Sequence, residues 1–186
     1  MKYFYTGAEN FLDEQKNPLL SLGGFISATP IPNAEIGNIF GDISQFTIDN
    51  QLRQTLAIAL KNTTGKDAED LILYFDFPTD KFSNIEIAAV IPATDSEGNK
   101  FVEKLTNSAS LPFNATFNEA DGVGNAINVG DLLKDDYLVF FLKRTIVDDI
   151  KDQFTCDALD TKTDEKGILT LVTSEDTDLV LNWTEV

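Results

Sequence analysis

Leu56-Ala57-Ile58-Ala59-Leu60-Lys61, running into Asn62-Thr63-Thr64-Gly65, decides the fold class. Leu56, Ile58 and Leu60 alternate with Ala57, Ala59 and Lys61, the period of two that a strand imposes on its side chains, and the polar run with its glycine stops it. The same period returns downstream. Leu71, Leu73, Phe75 and Phe77 share one face and Ile72 and Tyr74 the other until Pro78, so this strand and the one before it are expected to form a hairpin with a long loop. Ile85, Ile87, Ala89 and Ile91 make a third strand closed by Pro92, and the turn residues 95–99 lead into Phe101 and Val102, the spacing of a meander.

Further out, Leu111 to Phe117 reads as an edge strand and Val129 to Asp135 as a short turn of helix. Tyr137-Leu138-Val139-Phe140-Phe141-Leu142 is apolar on both faces, which predicts a strand in mid-sheet covered on both sides. Residues 147–160 fit a short helix or a strand. Residues 168–172 and 179–183 read as two strands joined by an acidic loop. Short strands with Pro, Gly and Asn between them and almost no helical period indicate an all-β antiparallel sandwich, immunoglobulin-like or jelly-roll-like, with a closed barrel as the alternative.

The beginning of the chain reads differently. Residues 1–24 place Tyr3, Phe4, Tyr5, Phe11, Leu19, Leu20 and Leu22 at irregular spacing among polar residues, which suggests an extended arm ahead of a single domain over 25–186. Such an arm docks its apolar side chains on its own domain or on a neighbouring subunit. Phe25 to Asn33, with Pro30 and Pro32, reads as a connector or an edge.

The 186 residues carry 31 acids against 14 bases, a net charge of -17, with no histidine and one cysteine, Cys156. Histidine-dependent catalysis, histidine metal ligation and internal disulfides are thereby excluded. Two arginines, Arg53 and Arg144, cannot make a phosphate-binding stripe on so acidic a chain, so nucleic acid is not an expected partner. No apolar run reaches the ~20 residues of a membrane span, and the first residues show no export signal, so a soluble protein with no membrane partner is expected.

The acidic loops 95–99 and 160–167 lack the alternating oxygens and glycine of a calcium loop, and 121–125 lacks the context of a phosphate-binding loop. Glu86 and Glu103 are the imaginable pair for carboxylate hydrolysis, and Cys156 lies among aspartates that disfavour a thiolate. No catalytic residue, cofactor or metal is expected. Lys143-Arg144, the only adjacent basic pair, is either a strand-end surface pair or the seat of a partner's acidic loop.

Two stretches carry a resemblance. Asn38-Ile39-Phe40-Gly41-Asp42-Ile43-Ser44 followed by Gln51 to Thr64, and Val129-Gly130-Asp131-Leu132-Leu133 followed by Tyr137 to Ile146, are together similar to a pattern in β-sandwich virion proteins of tailed bacteriophages. It spans roughly residues 36–146, and Phe140 or Phe141 stands where a tryptophan is often found. The resemblance implies a structural subunit of a tailed phage, the crAss-like phages being one candidate source: an auxiliary capsid (decoration) protein, or a head-tail ring or connector protein. Its partners would be other virion proteins and further copies of itself, after synthesis in the bacterial cytoplasm. The arm residues Tyr3, Phe4, Tyr5, Phe11, Leu19, Leu20 and Leu22, with Lys143 and Arg144, are the expected interface. The alternative is a carbohydrate-binding or adhesion-type sandwich using Tyr5, Tyr137 or Trp183 as stacking platforms.

Overall fold

The alternating runs pair as strands. The computed structural model describes residues 1–32, 35–36, 39–40, 53–75, 83–146, 158–163, 168–172 and 178–185. The first strand, β1 (Lys2–Ala8), lies between β2 (Gly24–Pro30) and β4 (Arg53–Lys61), antiparallel to both. Beyond β4 comes β10 (Tyr137–Ile146), in unbroken register from Tyr137 opposite Lys61 to Thr145 opposite Arg53, and then β6 (Ser83–Val90). With β8 (Lys100–Val102) and β7 (Ala93–Thr94) beyond β2, the sheet runs β6-β10-β4-β1-β2-β8-β7. Only Ile91 and Pro92 join its two edge strands, so the sheet curls back on itself. The hydroxyl of Tyr137 on β10 accordingly donates to the Lys100 carbonyl on β8.

A second antiparallel sheet orders β3 (Glu35–Ile36), β11 (Ala158–Thr163), β12 (Ile168–Val172), β13 (Asp178–Glu185), β5 (Ala68–Phe75) and β9 (Ile127–Leu132). One apolar cluster joins Tyr3, Ile58, Leu60 and Phe140 of the first sheet to Leu71, Leu73 and Leu132 of the second. No α-helix occurs among the described residues. The all-β, antiparallel, sandwich-like fold expected from the alternation is what the chain adopts.

The strand over 137–142 is buried on both faces, as its composition requires. Ile58, Phe140 and Leu142 share one face with Tyr5, while Ala57, Ala88 and Phe141 share the other. There Phe141 lies directly between two alanines, a small-large-small row that fills space without clash.

Other expectations need correction. Residues 1–24 are not an arm: β1 is an interior strand, with Tyr3 and Tyr5 buried on one face and Thr6 on the other. A short strand covered on both faces shows no alternation, which is why it read as irregular. β2 is likewise interior, hydrogen-bonded to β1 and β8. The expected hairpin and meander fail as well, because β4 and β6 lie in one sheet and β5 in the other. Asn62 organises the first crossover. Its buried side-chain amide donates to the carbonyls of Lys66 and Leu132, and its Oδ1 accepts from the N–H and hydroxyl of Thr64. Residues 111–117 form no strand and hold one turn at 113–114, Asn118 makes an isolated bridge to Ile87, and 129–132 belong to β9, where Gly130 takes φ 78° in a bulge. Of 147–160, the last three residues are strand and the rest lie outside the described residues.

Candidate functional site

The residues expected at an interface separate into two groups. Tyr3, Tyr5 and Leu22 are core, and Phe4 is half-buried beside them. Phe11, also half-buried, stacks on Tyr137 with ring centroids 6.2 Å apart. These five hold the fold together and present little to a partner.

Leu19 and Leu20 behave otherwise. The chain turns back at Asn17, whose Oδ1 accepts the Leu19 N–H at 3.0 Å, and a single 3-10 turn follows over Pro18–Leu20. Ser21 then anchors the turn to two strands: its Oγ accepts the Thr6 N–H at 2.8 Å and its carbonyl accepts the Ala57 N–H at 2.7 Å. Gly7 lies directly beneath, where an added Cβ would stand 2.1 Å from the Leu20 carbonyl oxygen. The turn is thus pinned while its two leucine side chains stay 46% and 53% exposed.

A second segment joins this one. The Leu105 N–H donates to the Leu22 carbonyl at 2.7 Å, and the Thr55 N–H donates to Ser108 at 2.6 Å. From that anchored loop the chain reaches Leu111 and Phe113, the latter 82% exposed although its N–H is held by the Glu103 carboxylate at 2.6 Å. Two pairs of exposed apolar side chains therefore sit on segments that are hydrogen-bonded to each other and to the sheet. Leu111 and Phe113 were not anticipated. The available signal was Leu111-Pro112-Phe113 itself, since a proline between two apolar residues breaks a ladder and leaves them without cross-strand neighbours.

Lys143 and Arg144 point to opposite faces of β10 and neither is a surface seat. Lys143 is ion-paired to Glu86, directly opposite on β6, and its Nζ lies 4.8 Å from the Phe117 ring centroid. Arg144 is 0% exposed, donates to Gln54 on β4 and lies over the Phe40 ring at 4.7 Å. Both cations are engaged inside the fold, which corrects the expectation that they bind a partner.

Glu86 and Glu103 are not on neighbouring strands. No group of three metal-ligating side chains occurs among the described residues, and no helix there is long and apolar enough to cross a membrane. Tyr5 and Tyr137 are buried and offer no stacking platform, and the side chain of Trp183, like Cys156, lies outside the described residues. The chain matches no protein-family model, no curated protein and no solved structure. The likeness to phage virion proteins rests on the quoted residues alone.

Proposed function

We propose that this chain is a non-enzymatic structural subunit of a tailed-phage virion, a capsid decoration or head-tail ring or connector protein that acts by protein-protein assembly. The observation that carries the reading is the rigid display of Leu19, Leu20, Leu111 and Phe113. Large apolar side chains held outward by an ordered backbone gain contact area on docking without a further ordering cost. The acidic surface, -17 overall, opposes premature association during synthesis and favours partners with a basic rim. Two of the four, Leu19 and Leu20, belong to the originally expected interface, and the virion location follows from the resemblance over residues 36–146.

The test is localisation. Antibody raised against the purified chain labels virus particles produced by the genome that encodes it, and particles assembled with a Leu20→Asp, Phe113→Asp chain lack the label. A wild-type chain found only outside purified particles overturns the reading.

A further inference from the structure

Between β6 and β10 of the first sheet and the edge strand β9 of the second lies a cleft of about 580 Å³, a volume in the range of sites that take up a bulky apolar group. Ala89 and Val90 of β6 and Leu138 and Phe140 of β10 form one wall, and Val129 of β9, from the other sheet, faces them. On the rim is Ile91, 98% exposed, in the two-residue link between β6 and β7. Ile87, four residues earlier and inside β6, is buried, which shows what this residue type ordinarily does in the fold.

None of the eleven described residues that line the cleft is acidic, although the chain has 31 acids and 14 bases. Its one cation, Lys100, is ion-paired to Asp136, which leaves the site close to neutral. For two copies that each carry -17, a neutral apolar window is where surfaces can meet without carboxylate facing carboxylate. The window also holds both halves of a contact, an apolar knob and an apolar hole side by side. That is the requirement for a two-fold contact, in which the same patch serves both partners.

We propose that the occupant of the cleft is a second copy of this chain: Ile91 of each copy enters the cleft of the other across a two-fold axis. This goes beyond the assembly reading above and does not depend on where the protein resides. Self-association through Ile91 stands even if the chain is absent from particles, and a particle protein whose Ile91 plays no part would sink this proposal alone.

Sedimentation equilibrium of the full chain over a concentration series, at low and high salt, tests it. The wild type is expected to show a monomer-dimer equilibrium that tightens with salt, because screening weakens the repulsion between two acidic molecules and leaves apolar burial intact. Ile91→Glu removes an apolar group from both halves of the contact at once, so dimerisation should weaken about a hundredfold or more. Ala89→Glu, which charges the hole and spares the knob, should do the same. Circular dichroism matching the wild type confirms that each variant is folded, and Ile91, having almost no intramolecular contact, is expected to pass. A wild type that stays monomeric at every concentration, variants that dimerise like the wild type, or an association that salt weakens would each overturn the proposal.

Discussion

Arg144 and Gln54 stand directly opposite each other on β10 and β4, and the guanidinium donates to the Gln54 side-chain oxygen with both residues buried. Above them the Phe40 ring receives the cation at 4.7 Å. A fully buried arginine on an apolar strand is expensive unless its donors are used, and here hydrogen bond and ring together offset part of the desolvation.

Arg144→Ala should therefore destabilise the fold by about 3 kcal/mol or more, since it removes packing and leaves the Gln54 oxygen buried without this donor. Adding Gln54→Leu to Arg144→Met should recover part of the loss, because apolar replacement of both partners leaves no orphaned group. Urea denaturation of Arg144→Met, of Gln54→Leu and of the variant carrying both gives the coupling directly. Strictly additive losses would show that the pair contributes nothing as a pair.

The arrangement also shows what could be read in advance. Burial of 137–142 on both faces followed from its composition, and the antiparallel sandwich from repeated alternation around it. Strand partners did not follow. Nothing in Leu56 to Leu60 and Leu71 to Phe75 says that the two lie in different sheets, because alternation reports which side chains are buried and not against what. The crossover is set by the side chain of Asn62, which reaches Leu132, a residue far away in sequence. Tyr3 to Ala8 failed for a related reason: a strand covered on both faces has no polar face to betray it. At the candidate surface, Leu19 and Leu20 were legible as apolar residues without a periodic partner, but the same criterion swept in Tyr3, Tyr5 and Leu22, which the core absorbs.

Removal of residues 1–8 is expected to abolish folding. β1 supplies hydrogen bonds to β2 and β4 at once and places Tyr3 and Tyr5 in the shared core, so its loss opens the sheet in the middle. Circular dichroism and thermal melting of the truncated chain should show no cooperative transition. A truncated chain that melts cooperatively near the wild-type temperature would mean that β1 is dispensable and restore the arm.

Gly7 and Gly65 make a matched pair for backbone strain. Both take positive φ, 87° and 88°, but a Cβ on Gly7 would overlap the Leu20 carbonyl oxygen while one on Gly65 meets nothing within 4 Å. Gly65→Ala should cost only the left-handed backbone penalty, roughly 1 kcal/mol. Gly7→Ala adds displacement of the turn that carries Leu19 and Leu20, for a total of roughly 3 kcal/mol or more. Equal losses in urea denaturation would show that the turn moves freely, and the rigid display of those leucines would then be wrong.

Alkaline pH should destabilise the protein through Tyr3 and Tyr137. Burial pushes both phenols above their ordinary range, and the neighbouring Asp136 carboxylate adds to the effect on Tyr137. In the unfolded chain each loses its proton near pH 10, whereas the folded chain holds it to higher pH. Above about pH 10 the folded state therefore binds more protons than the unfolded state. The stability these groups contribute is complete below that pH and lost as pH rises towards the folded values, at up to about 1.4 kcal/mol per pH unit for each group. Tyr3→Phe separates the effect from packing, because the Tyr3 hydroxyl meets no hydrogen-bond partner among the described residues. That variant should match or exceed the wild type at pH 7 and pull ahead of it above pH 10. Tyr137→Phe surrenders the bond to the Lys100 carbonyl, so it should start about 1 kcal/mol below the wild type and close the gap as pH rises. Parallel stability curves for all three proteins from pH 7 to 12, followed by urea denaturation, would show that neither phenol is held neutral by the fold.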